Sequence, residues 1–178
     1  MKKFGAAIIA ALCLSSCLGY QIGPVKPNYL SDVHTIAIPT FKNETLVPRL
    51  EVLVTDTVIK QFQQDGTFKI GNSDNADATL KAEISRISRS PARSLRGNVL
   101  ATSEFNLAMR VKYRLVGRDG KTIGAPGEAQ GTTSFFVNSG GATGDNVTGD
   151  VVTDERQALP LAAEELATHL VSQLSEGW

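Results

Sequence analysis

Residues 99–115 read Val-Leu-Ala-Thr-Ser-Glu-Phe-Asn-Leu-Ala-Met-Arg-Val-Lys-Tyr-Arg-Leu, and their period decides the fold. Every odd position is apolar or small (Val99, Ala101, Ser103, Phe105, Leu107, Met109, Val111, Tyr113, Leu115), while the even positions carry Thr102, Glu104, Asn106, Arg110, Lys112 and Arg114. Side chains alternate across a strand, so this is a long strand with one buried and one wet face. Upstream, Ala78, Leu80, Ala82 and Ile84 alternate with Thr79, Lys81, Glu83 and Ser85 to give an antiparallel partner. The phase slips near Arg86 and Ile87, which predicts a bulge. Ser90–Gly97 reads as the connecting loop, and its only charges are Arg93 and Arg96. Downstream, Asp119-Gly120 is a hairpin turn signal leading into a strand over Gly127–Val137.

Elsewhere the period changes to that of a helix. Leu50, Leu53, Val54, Val58 and Phe62 form one stripe within 47–64, with Pro48 suited to the first turn and Gly66 to a left-handed cap. Leu159, Ala162, Ala163, Leu166, Leu170 and Leu174 form a second stripe from about Asp154 to Ser175, with Pro160 in the first turn or at a kink. His34–Thr40 reads as a first strand closing at Pro39. The order strand, helix, three antiparallel strands, helix predicts an α+β two-layer sandwich: a mixed, mostly antiparallel sheet of about four strands with two amphipathic helices on one face.

The N-terminus reads differently. Lys2 and Lys3 precede an apolar run, Phe4–Leu14, that ends in Leu14-Ser15-Ser16-Cys17. Basic start, short apolar stretch and small residues form a secretory signal, and the run is too short to span a bilayer. Leu-Ser-Ser-Cys resembles the lipobox of bacterial lipoproteins, which implies removal of 1–16 and acylation of Cys17, palmitate included; chains on one residue anchor stably. By the same resemblance, Leu18 rather than Asp after the cysteine implies the outer membrane. Residues 17–31, with two prolines and two glycines, read as a lipidated tether, and 32–178 as a single domain. No cysteine remains to pair in the mature chain, and no histidine spacing supports a metal, so no cofactor is expected.

Formal charges sum to zero but are distributed unevenly. Lys81–Lys121 holds ten bases against three acids, whereas Thr122–Trp178 holds eight acids against one base. A basic middle suits an anionic partner, phosphorylated lipid or an acidic protein surface; a solvated sheet face partly neutralised by the last helix accounts for it equally. Ser139–Asp150 is rich in glycine and reads as a loop, and it lacks the Lys-Ser or Lys-Thr that a phosphate cradle needs. No nucleophile elbow or zinc-protease helix is present, and Asp154-Glu155 and Glu164-Glu165 are adjacent on a helix, where side chains diverge, so an enzyme is not expected. Export and the absence of aromatics among the arginines argue against nucleic acid.

Three stretches carry a family resemblance: Thr35-Ile-Ala-Ile-Pro-Thr-Phe-Lys-Asn-Glu-Thr45 with Pro48-Arg-Leu-Glu51, Asn98-Val-Leu-Ala-Thr102, and Asp154-Glu-Arg-Gln-Ala-Leu-Pro160. With the lipobox, the chain resembles the LPS-assembly lipoproteins, LptE-like, over nearly its whole length. The resemblance implies a non-enzymatic lipoprotein at the outer membrane that faces the periplasm or lies inside a barrel lumen. Its implied partners are a β-barrel of the lipopolysaccharide-transport machinery and lipopolysaccharide itself. Arg89, Arg93, Arg96, Arg110, Lys112 and Arg114 are the candidate contacts to lipopolysaccharide phosphates, because guanidinium groups bind phosphate bidentately. The first of these stretches also resembles lipoproteins that regulate a cell-wall synthase or belong to a secretion channel, and that reading remains the alternative.

Overall fold

A computed structural model of the chain describes residues 26–95, 98–136 and 151–176, without the side chains of 94, 95, 98–103 and 151–154. The elements are β1 (Thr35–Ala37), β2 (Lys42–Asn43), α1 (Leu50–Asp65), β3 (Lys69–Gly71), β4 (Ala78–Leu95), β5 (Asn98–Gly117), β6 (Thr122–Phe136) and α2 (Val151–Glu176). They form an α+β fold of two layers, with six strands where the sequence suggested about four. The sheet runs β3-β1-β4-β5-β6, and β2 lies beside β4 further along its edge. Pairings of β1 with β3 and β4, and of β2 with β4, are parallel; β4-β5 and β5-β6 are antiparallel.

The alternating pattern of β5 determines where the core sits. Leu107, Met109, Val111, Tyr113 and Leu115 are buried beneath the helices, whose stripes of Leu50, Val54, Val58, Phe62 and of Ala162, Leu166, Leu170, Leu174 complete the same core. Gly66 ends α1 in the left-handed conformation, as its lack of Cβ permits. Gly131 is demanded by proximity: a Cβ there would stand 2.0 Å from the Ala162 carbonyl oxygen and 2.5 Å from the Leu166 nitrogen of α2. The helix also covers the free edge of β6, where the Thr132 N–H donates to the Glu165 carboxylate and the His169 ring bonds the Gln130 carbonyl at 2.7 Å. These bonds cap the β6 edge at Gln130 and Thr132, where it would otherwise present unpaired backbone groups.

Several expectations need correction. Ser90–Leu95 is strand rather than loop, because β5 pairs with it almost to the tip, through an irregular register beyond Pro91. Pro48 precedes α1, whose N-cap is Arg49 at φ 62°, so the chain turns sharply before the helix rather than within its first turn. Of the two places expected for Pro160, the first turn is ruled out: the helix starts at Val151 and Pro160 lies in its interior. β1 covers three residues rather than seven, ending at Ala37 two residues before Pro39, and β2 resumes the line along β4. Leu30, in a short 3-10 turn over Asn28–Leu30, is fully buried, so folding begins within the segment read as tether. The bulge foreseen near Arg86 is present, between Ile84 and Arg86.

Candidate functional site: the open face of the sheet

The face of the sheet turned away from the helices carries the even-numbered residues of β5. Arg110, Lys112 and Arg114 all lie exposed on it, as the alternation required. Register determines what stands opposite them. Lys81 pairs directly with Arg114, and Arg86 directly with Arg110. Like charges directly opposite on one face destabilise a sheet, and this face carries two such pairs. Between them lies a rung of alternating sign across four strands: Lys42, Glu83, Lys112 and Glu128.

A shallow cleft of about 360 Å³ opens at one end of this face, lined by Lys42, Lys81, Glu83, Lys112, Arg114 and Pro126. It forms where the β5-β6 register breaks between Tyr113 and Leu115: Tyr113 pairs with Gly127 and Leu115 with Ile123, so 124–126 bulge out and leave Arg114 without a β6 neighbour. Gly124, at φ 70°, makes that excursion possible, with the Tyr29 ring packed where a Cβ would stand. Lys42 is paired with Glu44 at 2.7 Å, which raises the ammonium above its ordinary range and lowers the carboxyl, chiefly through their hydrogen bond. Arg110 is held by Glu128 at 3.2 Å and by Gln130 at 2.9 Å. Among the described residues, Lys81, Arg86, Lys112 and Arg114 form no ion pair. Lys112 stands between Glu83 and Glu128 in the rung, whereas Lys81, Arg86 and Arg114 have no acidic residue directly opposite them.

The remaining sequence candidates separate. Arg89 falls on the helix side, in register with Leu107, because the bulge shifts the phase of β4. There its Nε and Nη2 both donate to the Glu155 carboxylate of α2, each at 2.5 Å, so its fork is committed within the fold. Arg93 stands opposite Glu104 near the tip, with Nε 3.7 Å from the carboxylate. Arg96 and Cys17 lie outside the described residues, as does the loop at 139–150. Lys42, Lys81 and Arg86 were not singled out from sequence; only the pairing of separate strands reveals them.

The Phe41-x-Asn43-x-Thr45 motif has a local task. Phe41 is buried and its N–H donates to Thr55 Oγ1 at 3.0 Å. Asn43 uses its whole amide: Nδ2 donates to the Val47 carbonyl and to Glu51, and Oδ1 accepts from the Thr45 N–H and hydroxyl. These residues therefore shape the turn between β2 and α1 and set Lys42 at the cleft.

A family model described as LptE, lipopolysaccharide-assembly, matches residues 33–174. No curated protein sequence matches the chain. Among solved structures, uncharacterized lipoprotein B from Nitrosomonas europaea is similar at a TM-score of 0.55 and 13% identity, over 90% of this chain and 92% of that one. Protein XCC0632 from Xanthomonas campestris aligns at 0.51 and 11% identity over 86% and 89%. The PelC dodecamer from Paraburkholderia phytofirmans aligns at 0.50 and 15% identity over 87% and 96%. At these identities the likeness is one of fold.

Proposed function

We propose that this chain, which belongs to the LptE lipopolysaccharide-assembly family, is a lipoprotein anchored in the outer membrane through Cys17. On this reading it joins a β-barrel of the lipopolysaccharide-transport machinery and contacts lipopolysaccharide phosphates through the open sheet face. Membership in the family supports the assembly role. The observation that carries the face is the direct opposition of Lys81 with Arg114 and of Arg86 with Arg110. Such pairs cost stability, and a phosphate between them turns that cost into charge-assisted hydrogen bonds. Arg110, Lys112 and Arg114 are the central contacts, joined by Lys42, Lys81 and Arg86; Arg93, opposite Glu104, lies further along the same hairpin, and Arg96 remains a candidate contact from the sequence. Arg89 acts instead within the fold.

The test is purification of the tagged, lipidated protein from solubilised outer membranes, with mass spectrometry of near-stoichiometric companions and of bound lipid. A lipopolysaccharide-transport barrel together with lipopolysaccharide is the expected result. Recovery of a cell-wall synthase or a secretion subunit without the barrel would establish the alternative role instead.

A further inference from the structure

Building on the reading of the open face as a lipopolysaccharide contact, we infer that this face holds two separate anion subsites and takes a single ligand through two phosphate groups roughly 13 Å apart. The first subsite is Lys81 with Arg114, at the cleft; the second is Arg86 with Arg110. Arg110 and Arg114 are four residues apart on one strand, and a rise of about 3.3 Å per residue gives the spacing. The rung between the two pairs is what makes them separate. In that rung Glu83 and Glu128 flank Lys112, so carboxylates interrupt the cations between the two pairs.

The two subsites are built differently. At the cleft, the bulge at 124–126 removes the strand neighbour of Arg114, so both cations are open to a ligand. At the other, Glu128 and Gln130 hold Arg110 from the β6 side, which fixes its guanidinium and leaves Arg86, which has no ion pair among the described residues, facing it. One phosphate satisfies one subsite only. A ligand with two at matching separation engages the second within the same molecule, where the effective concentration is high, so two modest contacts multiply.

The experiment compares bisphosphorylated lipid A with its monophosphorylated form, using the full lipidated protein in detergent micelles and reading affinity at two salt concentrations. The bisphosphorylated lipid should bind at least about tenfold more tightly. Arg86→Gln and, separately, the double variant Lys81→Gln with Arg114→Gln should each bring that ratio close to one while the melting temperature holds or rises, since each relieves a like-charged pair. Arg86→Lys should retain most of the preference. Lys121→Gln, which removes a cation that sits beside Asp119 in the β5-β6 turn, serves as the control for net charge and should leave the ratio unchanged. Equal binding of the two lipids by the unaltered protein, or the same loss for both lipids in Arg86→Gln, would overturn the two-subsite arrangement and leave a general cationic face. Binding of neither lipid would overturn the underlying reading of the face itself.

Discussion

Single residues on β5 and β6 show how little room the fold leaves where the layers meet. Gly131 lies beneath α2, and a methyl group there would overlap helix backbone, which cannot rotate away as a side chain would. Gly131→Ala should therefore cost about 3 kcal/mol or more, read as a lowered denaturant midpoint with an unchanged slope. Tyr113 is buried, its hydroxyl donates to Gln173 Oε1 at 2.7 Å, and burial pushes the phenol up to about 12. A phenol whose folded value exceeds its unfolded value of about 10 favours the neutral form in the fold. Its contribution is thus complete below pH 10 and disappears as the pH rises from about 10 to 12. Unfolding measured across that window should show a loss of about 2 kcal/mol that Tyr113→Phe removes. At neutral pH the same variant should cost about 1 kcal/mol for the lost hydrogen bond.

Between elements, the Arg89-Glu155 pair ties β4 to the start of α2 across the layers. Glu155 is largely buried while the Arg89 side chain is 42% exposed, so solvent weakens the pair; Glu155→Gln should cost about 1–2 kcal/mol. A double-mutant cycle with Arg89→Gln should return a coupling of similar size, and additive effects would show that the pair contributes little. This pair also marks how far the sequence could be read. The strand β5 was legible because nine alternating positions leave only one assignment, and Arg110, Lys112 and Arg114 came with it. Arg89 could not be placed, since one extra residue at the bulge moves it to the opposite face. β2 and β3, of two and three residues, have no period at all and exist through parallel pairing with distant strands. Lys81 and Arg86 looked like ordinary surface cations until register set each against an arginine.

At the scale of the whole molecule, the proposed lipid anchor and the folded domain should be separable. Folding draws on a core closed by two helices over one sheet face and reaching back to Leu30. Among the described residues, no helix is long and apolar enough to cross a membrane. On the proposed reading, attachment rests on the acyl chains at Cys17, each buried methylene adding about 0.8 kcal/mol. Stability and membrane attachment should accordingly separate in Cys17→Ser. The variant should melt within about 1 °C of the lipidated protein measured in the same detergent, because its core is unaltered. It should fail to incorporate labelled palmitate and should leave the outer-membrane fraction. If it stays bound, salt extraction distinguishes the causes. Release at high salt would show that the cationic sheet face holds the membrane by itself, since exposed charges are screened within about 10 Å at 0.1 M. Retention at high salt without acylation would place the anchor in contact with the barrel partner instead.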